Sequence, residues 1–116
     1  ILVVEDNEIN MEVIEFMLQN EGAIVYKAKN GKEAVEQFGQ IKNLDLILMD
    51  LMMPIMDGYD ATLQIRKKDK KIPILAMSAN AFESDVQECL EAGMDGHIAK
   101  PINIELLKEE RAKLKG

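Results

Sequence analysis

The chain has 116 residues, 47% hydrophobic and 30% charged, a mixture that is typical of one folded globular domain and not of a disordered segment. Its net charge of −7 argues against binding to nucleic acid or to an anionic membrane, because phosphate groups repel an acidic protein. The single cysteine, Cys89, excludes an internal disulfide and favours a reducing cytosol, and no apolar run approaches the roughly 20 residues that span a bilayer.

The first predicted elements are a strand and a helix. Residues 1–4 form an apolar run, mostly β-branched, that is too short for a helix and predicts a strand. Residues 8–20 predict a helix that is capped by Asn7 and closed by Gly22. Four apolar residues recur in it at helical spacing: Ile9, Val13, Phe16 and Met17.

The middle of the chain repeats this alternation. A second strand is predicted over residues 23–28 and a second helix over residues 32–41, with a turn at Asn30 and Gly31 between them. A third strand over residues 44–49 runs into Asp50, and a loop rich in Pro and Gly follows it.

The last part of the chain continues in the same order. Helices are predicted over residues 59–68, 83–92 and 103–115, and strands over residues 73–77 and 96–99. The helix over 83–92 is expected to turn three residues inward: Val86, Cys89 and Leu90. Five strands alternating with five helices predict an α/β fold, a doubly wound parallel sheet with helices on both faces, over residues 1–116 as a single domain.

Polar side chains follow four of the predicted strands. Glu5 and Asp6 follow the first strand, Asp50 the third, Ser78 the fourth and Lys100 the fifth. Since the carboxyl ends of parallel strands meet at one edge of the sheet, where ligands bind in open α/β folds, we expect these side chains to lie close together. Each of them alone is as well explained by a helix cap or a solvated charge, but five at one edge favour a common site.

Three crowded carboxylates repel one another unless a cation lies between them. Oxygen ligands without His or Cys suit Mg²⁺, and a carboxylate can act as a nucleophile toward phosphorus to give an aspartyl phosphate. Lys100 can neutralise the phosphoryl oxygens in such a transfer, and Ser78 can donate a hydrogen bond to one of them. The eight methionines are interpreted as core-filling residues and not as metal ligands.

Four stretches make the chain resemble a response-regulator receiver domain of two-component signalling. They read VVEDN at 3–7, MDLMMPIMDG at 49–58, MSANA at 77–81 and AGMDGHIAKP at 92–101. They occur in the family's order and extend over nearly the whole chain. The resemblance implies a flavodoxin-like fold with strand order 2-1-3-4-5.

The resemblance also implies the roles of individual residues. Asp50 matches the phosphoacceptor, and Glu5 and Asp6 match the acidic pair that positions Mg²⁺. Met52 matches the residue whose backbone carbonyl completes the protein ligands of the metal, and Lys100 matches the lysine that binds the phosphoryl group.

A further pair of positions matches the conformational switch of the family. Ser78 matches the switch hydroxyl. His97 stands where the family usually has Tyr or Phe. This difference affects the expected conformational switch and not the chemistry of phosphorylation. The implied signal is a change of the surface formed by the fourth helix, the fifth strand and the fifth helix.

The expected function is a phosphoacceptor switch that takes a phosphoryl group from a phosphohistidine on a histidine kinase or a histidine phosphotransfer domain. Such a domain is no conventional enzyme, although it catalyses its own phosphorylation and a slow autodephosphorylation. The stretches EDNEIN at 5–10 and SANA at 78–81 resemble receivers fused to hybrid sensor histidine kinases. Because no Met precedes Ile1, we expect the segment to be part of a longer protein. The domain itself is expected to be cytoplasmic and without membrane contact, also where the longer protein is membrane-anchored.

Three alternative functions fit the residues less well. A docking module for a kinase or phosphotransfer domain that is not itself phosphorylated remains an alternative, although the full set of five polar residues argues against it. A phosphatase with an Asp nucleophile resembles the pattern Asp-x-Asp, but Met52 stands at the second position. A nucleotide- or flavin-binding domain is disfavoured because the turn at residues 5–7 is anionic and lacks glycine.

Overall fold

The computed structural model describes residues 1–51, 56, 58–78, 87, 90–99 and 103–115. Within these residues five strands form one parallel sheet with the order β2-β1-β3-β4-β5. The strands are β1 (Leu2–Val4), β2 (Tyr26–Ala28), β3 (Ile47–Asp50), β4 (Ile74–Ser78) and β5 (Gly96–Ala99). The prediction of a doubly wound α/β sheet with strand order 2-1-3-4-5 is confirmed.

Helices connect the parallel strands. They are α1 (Glu8–Asn20), α2 (Gly31–Phe38), α3 (Gly58–Lys68) and the C-terminal helix (Ile104–Lys115). Gln87 and residues 90–92 are also helical, within the predicted fourth helix, whose first residues lie outside the described part of the chain. Within the described part of the chain, the helices lack the length and hydrophobicity of a membrane span.

The sheet is buried on both faces, which explains why its strands are apolar without alternation. Side chains of β1, β3 and β4 divide between two clusters according to the period of two residues of a strand. One cluster contains Leu2, Val4, Ile47, Met49, Ile74 and Ala76, and it extends into α2 and α3. The other contains Val3, Leu48, Leu75 and Met77, and it extends into α1 and the C-terminal helix.

Helix α1 packs through a different face from the one that its most regular apolar spacing suggests. Its buried residues are Met11, Ile14 and Leu18. The residues at helical spacing that predicted the helix divide differently: Ile9, Val13 and Phe16 are exposed, and Met17 is partly buried. Both sets follow the helical period, so periodicity predicts the helix but does not say which set packs on the sheet.

Two local predictions were wrong. Leu90, expected to face inward, is half-exposed, whereas the side chains of Val86 and Cys89 lie outside the described residues. Asn30 and Gly31 do not form a free turn: Asn30 caps α2 by accepting a hydrogen bond from the Glu33 amide at 2.9 Å. The Glu33 side chain bonds back to the Lys29 amide, so this segment is a capping motif that starts the helix one residue earlier than predicted.

Candidate functional site

Three carboxylates meet at the carboxyl edge of the sheet. Glu5 and Asp6 follow β1, and Asp50 is the last residue of the neighbouring strand β3. The parallel register aligns Val4 with Met49, so Glu5 and Asp50 come next on their two strands. Oxygen atoms of Glu5, Asp6 and Asp50 lie within 4.8 Å of one another. The first and last of these residues are buried and Asp6 is exposed, so the cluster opens to solvent on one side.

The start of α1 holds Glu5 in place. Asn7 caps the helix, and its side-chain oxygen accepts a hydrogen bond from the Asn10 amide at 3.0 Å. The Asn10 side chain donates a hydrogen bond to the Glu5 carboxylate at 3.1 Å. Helix α1 is therefore tied directly to the acidic cluster. Asn10 was not predicted to contribute to the site. Its position in the first turn of α1, soon after Glu5 and Asp6, is the sequence feature that could have indicated this role.

The start of α3 sets the backbone that follows Asp50. The Gly58 amide donates to the Leu51 carbonyl at 3.3 Å, and the Leu51 amide donates to the Met77 carbonyl at 3.1 Å. A Cβ atom at Gly58 would overlap the Asp50 carbonyl oxygen, so only glycine allows this approach. The Thr62 hydroxyl donates to the Gly58 carbonyl at 2.7 Å and secures this first turn of the helix. The sequence indicates Gly58 only as a loop residue. Its close contact with Asp50 could not be predicted, because it joins residues of two different elements.

The carboxylate cluster has the composition of a site for a hard divalent cation. It offers only oxygen ligands, which suits Mg²⁺ or Ca²⁺ better than zinc or copper. Among the described residues it is the one group of three or more acidic, His or Cys side chains that comes close enough to hold a metal ion. The arrangement fits a cation bound by two or three carboxylates together with water.

The remaining predicted site residues lie on or beyond β4 and β5. Ser78 ends β4 at the carboxyl edge and pairs with Ala99 in the sheet register, so it lies on the predicted side of the molecule. His97 lies in β5 opposite Ala76, and its Nε2 atom is buried with no hydrogen-bond partner among the described residues. Met52 and Lys100 fall outside the described residues.

Comparison with known families agrees with this architecture. The family model described as "Response regulator receiver domain" matches residues 1–111. The chain therefore belongs to the response regulator receiver domain family.

Similar proteins place such domains in histidine-kinase signalling. The chain is 38% identical over 120 residues to Hybrid signal transduction histidine kinase A of Dictyostelium discoideum, an alignment that covers 99% of this chain and 6% of that protein. The chain thus spans only a small part of the length of this curated relative.

Two solved structures are similar over almost the whole chain. The receiver domain of the sensor histidine kinase PA1611 from Pseudomonas aeruginosa PAO1, which has a magnesium ion coordinated in its active site cleft, is 39% identical with a TM-score of 0.86 and covers 99% of this chain and 96% of its own. The receiver domain of Ssk1 from Saccharomyces cerevisiae, co-crystallised with the histidine phosphotransfer signaling protein Ypd1, is 30% identical with a TM-score of 0.89, and the match covers 97% and 86%.

Proposed function

We propose that residues 1–116 form one receiver domain whose Asp50 accepts a phosphoryl group from a phosphohistidine. The observation that carries the proposal is the position of Asp50, buried at the end of the central strand β3 with its carboxylate within 4.8 Å of those of Glu5 and Asp6. One carboxylate thus stands at the bottom of an open acidic cluster, where a phosphoryl group can approach it from the exposed side.

Transfer requires an Asp50 oxygen to form a bond to phosphorus. The P–N bond to the donor histidine breaks at the same time, and its electron pair stays on the imidazole nitrogen. Lys100 neutralises charge on the phosphoryl oxygens, and the Ser78 hydroxyl donates a hydrogen bond to one of them. Both roles follow from the family resemblance and from the place of these residues after neighbouring strands.

A divalent cation completes the proposed site. Glu5, Asp6 and Asp50 would hold Mg²⁺ together with the backbone carbonyl of Met52, and Glu5 would act partly through water. When bound, Mg²⁺ neutralises the charge that builds up on the phosphoryl oxygens. The magnesium ion in the similar receiver domain of PA1611 supports this choice of metal.

Phosphorylation would be transmitted through Ser78 and His97. The Ser78 hydroxyl moves toward the phosphoryl group, and the space that it leaves allows His97 to turn inward and reshape the surface beside β5. The phosphoryl group needs only to favour one of two existing arrangements. The expected donors are a histidine kinase or a histidine phosphotransfer domain in the cytoplasm, a partner class supported by the complex of the similar Ssk1 receiver with Ypd1.

A small phosphodonor tests the proposal without any protein partner. The chain is incubated with phosphoramidate and Mg²⁺, and bound phosphate is measured by intact mass. We expect one phosphoryl group on the unaltered chain, none on Asp50→Asn, and none after removal of Mg²⁺ with EDTA. Asp45→Asn is the matched control. Asp45 is an exposed carboxylate that lies just before the amino end of β3, the strand that ends at Asp50. Phosphorylation of Asp50→Asn at the normal rate would contradict the assignment, and no phosphorylation of the unaltered chain would favour the unphosphorylated docking module.

A further inference from the structure

The start of helix α2 touches the segment that follows Asp50. The amide of Gly31, the first residue of the helix, donates a hydrogen bond to the Met56 carbonyl at 3.0 Å. A Cβ atom at Gly31 would overlap that same carbonyl oxygen, so the two backbones approach more closely than any other residue would allow. Gly31 is buried and Met56 is partly buried. We call this close backbone approach the Gly31–Met56 contact.

The capping motif of α2 fixes the direction of the Gly31 amide. Asn30 is buried, and its side-chain oxygen accepts a hydrogen bond from the Glu33 amide at 2.9 Å. Its side-chain nitrogen donates a hydrogen bond to the Glu33 carboxylate at 3.3 Å. Both polar atoms of the Asn30 side chain are therefore bonded, and the residue before the Gly31 amide cannot turn freely. The start of α2 is thus a rigid point against which another segment can be held.

The segment that receives this hydrogen bond has two other fixed points. Its first residue is Leu51, whose amide donates to the Met77 carbonyl at 3.1 Å, and it ends at Gly58, whose amide donates to the Leu51 carbonyl at 3.3 Å. The six residues between Leu51 and Gly58 therefore leave and return to one point. Closure at this point alone leaves backbone freedom in between, and the bond to Met56 reduces that freedom.

The same segment carries a proposed ligand of the metal. In the proposed site Met52 supplies its backbone carbonyl, and it lies between Leu51 and Met56 in the sequence. A backbone carbonyl turns only with the backbone around it, so its direction depends on how the segment is held. Mg²⁺ requires nearly ideal octahedral ligand directions. Groups that orient metal ligands from outside commonly change metal affinity by roughly 10- to 100-fold.

We propose that Asn30 and Gly31 are positioning residues of the metal site, which hold the segment after Asp50 so that its backbone carbonyl can bind Mg²⁺. This inference rests on the proposed function, because it assumes that Mg²⁺ binds the acidic cluster with a carbonyl of this segment as a further ligand. Both residues act through the Gly31–Met56 contact and not on the ion or the phosphoryl group directly. The start of α2 thereby sets the affinity of the site for Mg²⁺.

The affinity for Mg²⁺ is the direct measurement. An NMR titration of the amide signals with MgCl₂ gives the Kd, and the same spectra show whether each variant is folded. We expect the Kd to rise about ten-fold in Gly31→Ala, because the added Cβ forces the two backbones apart. Gly39→Ala is the matched control at the other end of α2, where a Cβ would make only ordinary contacts. Its Kd should stay within about two-fold of the unaltered value.

The rate of phosphorylation separates a weaker metal site from a damaged one. The unaltered chain and Gly31→Ala are phosphorylated with phosphoramidate at increasing concentrations of Mg²⁺. We expect Gly31→Ala to need about ten times more Mg²⁺ for half of its maximal rate, while the maximal rate stays within about two-fold. A role in stability alone would leave the Mg²⁺ dependence of the folded chain unchanged.

A second variant tests the inference if Gly31→Ala does not fold. Asn30→Ala keeps the glycine and removes only the cap, so the Kd for Mg²⁺ should rise about three-fold, at the weaker end of such effects. Arg66→Ala is the control for lost stability. It removes hydrogen bonds to Gly93 and Asp95, near the amino ends of β4 and β5, and should leave the Kd unchanged.

The outcomes distinguish this inference from the proposed function. If the unaltered chain neither binds Mg²⁺ nor reacts with phosphoramidate, the proposed function fails and the inference fails with it. If the unaltered chain does both, and the folded variants of Gly31 and Asn30 bind Mg²⁺ with the unaltered Kd, the inference is overturned and the proposed function stands. An equal rise of the Kd in Arg66→Ala would also overturn the inference, because lost stability would then explain the effect.

Discussion

The two edges of the sheet use charged residues in opposite ways. At the amino edge, carboxylates lie against guanidinium groups: Asp95 is 2.8 Å from Arg66, and Asp45 is 2.7 Å from Arg111. These pairs join segments that are 29 and 66 residues apart in the sequence. At the carboxyl edge, three carboxylates lie within 4.8 Å of one another.

The charges at the amino edge therefore contribute to stability, whereas those at the carboxyl edge form the candidate functional site. Opposite charges at the amino edge stabilise the connections between helices and strands. Like charges at the carboxyl edge repel one another, and a bound cation would reduce that repulsion. Close backbone contacts, such as that of Gly58 with Asp50, help to hold this edge in place.

The largest effect is expected where the carboxyl edge depends on close backbone packing. Gly58→Ala should lower the free energy of unfolding by about 3 kcal/mol, because the added Cβ overlaps the Asp50 carbonyl oxygen and backbone atoms of Leu51. Urea denaturation measures the change. Gly39→Ala is the control: its Cβ would make only ordinary contacts, so stability should stay the same or rise slightly. Equal effects of the two changes would show that close packing at this edge is unimportant.

Mg²⁺ should stabilise the carboxyl edge. At a concentration 100 times its Kd, the ion should raise the free energy of unfolding by about 2.7 kcal/mol, because it binds the folded chain alone. In Asp6→Asn the same Mg²⁺ concentration should give a much smaller increase, since one ligand has lost its charge. Asp45→Asn, at the other end of β3, should retain the full increase. An undiminished increase in Asp6→Asn would place the ion elsewhere.

At the amino edge, Arg66 should matter most. Its guanidinium donates to the Gly93 carbonyl at 2.8 Å, to the Asp69 carbonyl at 3.2 Å and to the Asp95 carboxylate at 2.8 Å. Arg66→Ala should lower the free energy of unfolding by about 2 kcal/mol, a value moderated by the partial exposure of Asp95.

Arg66→Lys is the informative companion. One ammonium group cannot replace the planar fork that reaches both Gly93 and Asp95, so the loss of stability should be intermediate. Phosphorylation of Asp50 by phosphoramidate should continue in both variants. A strong loss of phosphorylation would show that the two edges are not independent.

The second pair at the amino edge should contribute less. Arg111 and Asp45 are both partly exposed, so water and salt screen their attraction. Arg111→Ala should lower the free energy of unfolding by less than about 1 kcal/mol, and molar NaCl should remove most of the difference. A salt-independent loss would instead indicate that the apolar part of the Arg111 side chain stabilises the C-terminal helix.

The smallest effect concerns Lys108, which is 3.0 Å from Glu21. The hydrogen bond to Glu21 raises the pKa of Lys108 above its ordinary value. A raised pKa in the folded state means that the contribution of the lysine is complete at lower pH and is lost only as the pH rises through that pKa. Between about pH 6 and pH 9, the difference in stability between the unaltered chain and Lys108→Met should therefore stay constant. A difference that disappears within this range would contradict the assignment.

Much of the site could be predicted from the sequence because of how parallel sheets are built. Short apolar runs that alternate with amphipathic helices define the strands, and parallel strands all end at one edge. Glu5, Asp6 and Asp50 could therefore be grouped from their places after β1 and β3, and the structure brings their oxygen atoms together. The caps at Asn7 and Gly22 were equally accessible, because a cap depends on neighbouring residues alone.

The tertiary structure decided which surfaces pack and which remain exposed. Two sets of apolar residues on α1 follow the same helical period, and only the position of the sheet selects Met11 over Phe16 for burial. The requirement for glycine at position 58 is apparent only from the tertiary structure, in which the start of α3 lies against the end of β3. Periodicity and capping arise within a segment and can be read from it, whereas the choice of a packed face or a close backbone contact depends on a second segment that lies far away in the sequence.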